Sequence, residues 1–273
     1  MFERQQFYRE LDAVYKSRSF DRVKAYLLEQ KKRLGVEDIK NSLTVDNELM
    51  SLYRGVDRLS ESVRIAEHMK EKMREIGFGG TEQYAIVLLN EATAYQKMSK
   101  FDAAETLFAE CEEILSDKAQ GSRYALASLY NNRASLRLAE RDYAAALGEG
   151  EKALAVLKDL DQVDQERAIT LGSMGIACDA LGQYAAGEAA VDEAIALYEA
   201  AGEGSHLGAV LNIKAKYLCR RGEDGEGAKL FRRAAAVTKK FFGETQDYRI
   251  CMDNAGEADR RAAEKKDLAK RKK

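Results

Sequence analysis

The amino-acid sequence repeats itself about every 41 residues, and no other feature restricts its folding as much. Phe101-Asp102-Ala103-Ala104 returns 42 residues later as Tyr143-Ala144-Ala145-Ala146. With Tyr184 aligned on Tyr143, it returns 41 further on as Gln183-Tyr184-Ala185-Ala186, and after 40 more as Asp224-Gly225-Glu226-Gly227. Each repeat reads as two amphipathic helices. In residues 78–118, Leu88, Ala92, Tyr95 and Met98 recur at steps of four, three and three, which makes one apolar stripe of a helix, while Asn90, Thr93 and Lys97 fall on another face. A turn at Ser99-Lys100 follows. Beyond it Ala104, Leu107, Phe108, Cys111, Ile114 and Leu115 recur at helical spacing, with Glu105, Glu110, Glu112 and Glu113 turned elsewhere. The second helices hold small residues at constant places: Ala104, Phe108 and Cys111; Ala146, Gly150 and Ala153; Gly187, Val191 and Ala194; Gly227, Phe231 and Ala234. Small side chains at fixed intervals let neighbouring helices close on each other.

This pattern, with Ala92, Ala134 and Gly175 in the first helices, resembles the tetratricopeptide repeat (TPR) family. The variant it resembles has long helices and a period of about 42 residues, as in kinesin light chains and bacterial peptide-sensing regulators. The family's usual Trp early in the first helix and Pro after the second are missing, since the chain contains neither residue. The long-helix variant often lacks both. The resemblance implies an all-α fold, a right-handed TPR superhelix or α-solenoid of about six helical hairpins plus a C-terminal capping helix. One array over residues 1–273 accommodates a degenerate repeat at 1–40, repeats at 41–80, 81–121, 122–163, 164–203 and 204–243, and a capping helix with a basic tail at 244–273. The capping helix shows itself in a longer match: Phe78 to Tyr84 followed by Asn90 aligns with Phe242 to Tyr248 followed by Asn254, 164 residues on.

Composition excludes several classes of function. The absence of Pro and the abundance of Ala, Glu, Lys, Arg and Leu favour helix almost throughout. With 44 Lys plus Arg against 46 Asp plus Glu, the chain has no field that draws in nucleic acid. Residues 102–167 carry a net charge of −6, and residues 256–273 a net of +4 before the terminal carboxylate, a polarity that a solvated face and tail account for. No stretch is apolar enough to suggest a membrane span or a secretory signal, so a cytoplasmic location is expected. Cys111, Cys178, Cys219 and Cys251 lack metal-ligand spacing and occupy small apolar positions, which predicts reduced core thiols. His68 and His206, the only histidines, have no catalytic partner at a recognisable spacing. The glycine-rich pieces 77–80 and 222–227 lack the residues of a phosphate loop and are turns. Neither a metal, a cofactor nor catalysis is expected.

What remains is a series of asparagines. Asn90 recurs 42 residues later as Asn132, with Asn131 beside it, and Asn212 and Asn254 are likewise 42 apart. Repeat five has Ser173 at this place, and Asn47 lies one position off the register. Asn is a mediocre helix former, so its repeated presence in mid-helix calls for a cause. A carboxamide offers the donor and the acceptor that an extended peptide backbone offers in return. Helices packed roughly 8–10 Å apart would meet every third residue of an extended chain, about 10 Å. In the family resembled, the first helices line the inner wall and asparagines here contact the bound peptide. That implies a peptide-binding set of Asn90, Thr93, Lys97, Asn131, Asn132, Ser135, Ser173, Asn212 and Asn254, with Lys97 suited to a carboxylate. The alternative is that these amides only bond to neighbouring helices or loops.

The function expected is therefore a non-enzymatic scaffold or adaptor that accepts a protein or peptide in a concave groove. A ligand-responsive regulator acting through a partner chain is the alternative. A structural protein that self-associates, for example as a homodimer, is a third.

Overall fold

A computed structural model of the chain describes residues 2–17, 19–34, 38–116, 122–202 and 204–271. Val36, Lys118, Glu203, Lys272 and Lys273, which the repeat assignment includes, lie outside them. The described residues form thirteen α-helices. They follow as α1 (Arg4–Tyr15), α2 (Phe20–Arg33), α3 (Ile39–Gly55), α4 (Leu59–Glu75), α5 (Glu82–Lys97), α6 (Phe101–Ser116) and α7 (Arg123–Glu140). The others are α8 (Tyr143–Leu157), α9 (Asp164–Ala180), α10 (Tyr184–Ala200), α11 (Leu207–Arg220), α12 (Asp224–Phe242) and α13 (Gln246–Arg271). Taken in pairs these are six hairpins and one final helix, the all-α repeat architecture that the periodicity predicts. None of the helices is long and apolar enough to cross a membrane.

The turns inside the hairpins repeat as strictly as the helices. Asp57, Ser99, Arg141, Gly182 and Gly222 each take a positive φ, between 57° and 87°, and stand 42, 42, 41 and 40 residues apart. In each case the next residue's N–H reaches back to the carbonyl five positions before it, as Lys100 does to Tyr95 (2.9 Å) and Glu223 to Leu218 (3.0 Å). This is the Schellman closure, which satisfies carbonyls at the end of the first helix and reverses the chain into the second. Gly182 and Gly222 take that conformation without steric cost, whereas Asp57, Ser99 and Arg141 hold it against the Cβ penalty. Side chains cap the starts: Thr81 accepts from the Tyr84 N–H at 3.3 Å, and Asp142 from the Ala145 N–H at 3.1 Å.

The chain divides into two compact units, Met1–Asn132 and Arg133–Lys273. In the first, Phe7 and Leu11 of α1, Val23 and Leu27 of α2, and Val45, Leu49 and Leu52 of α3 form one apolar cluster. The degenerate first repeat thus shares a core with the second. In the second unit the core passes from helix to helix, through Leu171, Val191, Tyr198, Leu211, Tyr217 and Cys251 among others. The small residues of the repeat are buried here, and their size is needed. A Cβ at Gly187 would collide with the Tyr217 hydroxyl, and one at Gly227 with the Cys219 sulfur. The space at Gly187 lets Tyr217 donate to the Gly175 carbonyl at 3.2 Å, a bond between first helices 42 residues apart.

The basic C-terminal segment does more than meet solvent. Arg261 and Lys265 of α13 reach Asp224 at the start of α12, at 3.2 and 2.6 Å, and the Asp224 side chain is only 2% exposed. Lys265 also donates to the Gly222 carbonyl at 3.0 Å. The pairing compensates a carboxylate that would be costly to bury alone.

Candidate functional site

The asparagines lie on first helices, and the structure pairs them across neighbouring repeats. In the first unit Asn90 of α5 donates through Nδ2 to Oδ1 of Asn47 on α3, at 3.4 Å. In the second unit Asn254 of α13 does the same to Asn212 of α11, also at 3.4 Å. All four are half-buried. Asn47, one position off register by counting, is therefore the partner of Asn90. Both bonds are long, and they leave amide capacity over. Among the described residues, the side-chain N–H groups of Asn47 and the side-chain oxygen of Asn254 make no hydrogen bond.

Arg54, on the face of α3 that carries Asn47, completes the first pair. Its Nη1 donates to the Asn90 side-chain oxygen at 2.7 Å and to the Asn90 main-chain oxygen at 3.2 Å. Among the described residues it has no carboxylate partner. Burial pulls the pKa of this guanidinium below its usual value, so a half-dehydrated cation stands beside the amides. Counting seven residues, two helical turns, from Asn47 would have found it.

The other members of the expected set are placed differently. The Thr93 hydroxyl donates to the Leu89 carbonyl of its own helix at 2.8 Å, and Asn132 donates to the Ser128 carbonyl at 3.0 Å. Lys97 sits 3.8 Å from Asp57 at an exposed surface. Asn131 is half-buried and Ser135 exposed on α7, and Ser173 is half-buried on α9. Of the expected set, Asn90, Asn212 and Asn254 therefore enter amide pairs, and Asn47, which the set does not include, completes the first. Close by, Lys70 of α4 and Glu91 of α5 form a pair at 2.6 Å, with side chains 14% and 2% exposed.

Two cavities adjoin the pairs. The one in the first unit, of about 380 Å³, is bounded by α1, α3, α4, α5 and Phe78, and Asn47 is in its wall. The one in the second unit, of about 400 Å³, has Asn254, Lys216, Arg220 and Arg261 in its wall. Among the described residues no group of His, Cys, Asp and Glu could hold a metal ion.

No protein-family model and no curated protein matches the chain. Solved structures do. BtubC (BKLC) from P. vanneervenii superposes with a TM-score of 0.62 at 23% identity, over 72% of this chain and 80% of that one. A Rap protein complexed with Competence and Sporulation Factor gives 0.65 at 14% identity, over 93% of this chain and 75% of that one. The signal transduction ATPase with a tetratricopeptide repeat sensor from Pyrococcus horikoshii gives 0.65 at 14%, over 97% of this chain and 46% of that one. At these identities the likeness shows the fold, that of tetratricopeptide repeat proteins.

Proposed function

We propose that the chain is a non-enzymatic scaffold that binds an extended segment of a partner protein along its first helices. The pairing of Asn47 with Asn90, and of Asn212 with Asn254, carries this reading. Each pair sets two carboxamides on adjacent helices with donors and acceptors to spare, the complement of a peptide backbone. Affinity would come from such contacts repeated along the helices, offset by the entropy of ordering the segment. The Rap protein of the same fold was solved with Competence and Sporulation Factor bound, which supports binding as the use of the fold. Four cysteines present as thiols, three of them buried, support a reducing compartment such as the cytoplasm.

Selection from a random peptide library would supply ligands. The variant Asn47→Ala/Asn254→Ala removes one amide of each pair and leaves Arg54 its partner. We expect it to bind the selected peptides at least tenfold more weakly, with helicity and melting temperature almost unchanged. Equal affinity of the variant and the wild type would reject the scaffold reading. Scattering curves with and without peptide would separate a passive scaffold from a ligand-responsive regulator, which must change shape on binding.

A further inference from the structure

The cavity of the first unit has a composition that identifies an occupant. Met69 and Met73 of α4 are buried in its wall. Tyr8 of α1 and Ile86 of α5, also in the wall, stay 39% and 36% exposed, a large apolar area left in reach of solvent. Thioethers adapt to side chains of different outline. A volume of about 380 Å³ is at the small end of ligand sites and has room for one bulky side chain with part of its neighbours.

The polar part of the wall is cationic. Arg4 is held by a hydrogen bond from Nη2 to the Thr44 hydroxyl at 3.1 Å. The Lys40 ammonium stands 5.2 Å from the centre of the Phe78 ring. Neither cation has a carboxylate partner among the described residues. The nearby acidic group, Glu48 of α3, is half-buried, and burial holds its carboxyl above the ordinary value. Two exposed cations without a carboxylate partner, at the rim of an apolar cavity, are complementary to an anion attached to an apolar group. Asn47, in the same wall, ties the cavity to the amide pair.

We propose that this cavity is the anchor subsite for a partner peptide, taking one bulky apolar side chain, aromatic or leucine-sized, whose neighbouring residue gives a carboxylate to Arg4 and Lys40. The assignment rests on the scaffold reading above and names the chemistry of its partner. It also gives the first repeat a part in the site, since Arg4 and Tyr8 both belong to α1.

The test uses the full chain and fluorescein-labelled nine-residue peptides read by polarisation. Their central residue is Phe, Leu or Ala, and its neighbours are Glu or Lys. Glutamate-flanked Phe or Leu should bind at least tenfold more tightly than glutamate-flanked Ala, and binding should weaken between 50 and 500 mM salt, in line with screening. Arg4→Glu/Lys40→Glu changes only exposed positions, so helicity should persist. It should lose the glutamate peptides and gain the lysine-flanked Phe peptide. Ile86→Glu should lose both. If the Phe and Ala peptides bind alike, or charge reversal leaves the preference for glutamate intact, the anchor is overturned. Library-selected peptides that need Asn47 and Asn254 but ignore Arg4, Lys40 and Ile86 would overturn the anchor and leave the scaffold reading standing. Dodecanoate binding with the same dependence, while no peptide binds, would overturn the commitment to a peptide.

Discussion

Asn90 illustrates how one side chain can serve structure and recognition together. Its oxygen accepts a hydrogen bond from the half-buried Arg54, and its nitrogen reaches Asn47. Replacing it by Ala would therefore strand a cation as well as remove an amide, a confusion that Asn47→Ala avoids. Glu48, near the anchor cavity, makes a separate prediction about pH. Burial raises its carboxyl above the ordinary value of 4.5, with the Tyr8 hydroxyl opposing in part. The folded state thus holds this proton more firmly than the unfolded chain does. The group costs nothing in acid, and its cost grows as pH climbs from 4.5 through the raised folded value. Glu48→Gln removes the cost. In urea titrations at a series of pH values, the variant should gain on the wild type from pH 4.5 upward, and a constant difference would show that Glu48 is not desolvated.

The hairpin is the unit in which local chemistry and packing agree. Its apolar stripes and small residues could be read from the order of residues, because helical periodicity depends on neighbours along the chain. Its turns could be read only in part. Glycine announces the left-handed position at Gly182 and Gly222, while Asp57, Ser99 and Arg141 occupy the same position unannounced, held there by the closure around them. Gly222→Ala forces a Cβ into that conformation at a φ of 87°. We expect a loss of about 1 kcal/mol in denaturation. An unchanged midpoint would show that the turn can relax.

Within each compact unit, stability passes between neighbouring helices, since no hairpin covers its own apolar face. A lesion should accordingly stay near its origin. Phe231, 3% exposed, packs with Ala215, Ala228, Ala255 and Ala258 across α11, α12 and α13. Phe231→Ala should cost about 3–5 kcal/mol. Hydrogen exchange should show lost protection in α11 to α13 while amides of α1 to α4 keep theirs. Uniform loss throughout would contradict it. The order of residues dictated thirteen helices, their pairing and the asparagine series, because period and turn chemistry act over a few residues. It did not disclose that Asn47 meets Asn90, that Arg54 joins them, or that Arg4 and Lys40 stand beside a cavity walled by methionines. Those depend on which faces of helices far apart in sequence come together, a matter settled by three-dimensional packing of side chains.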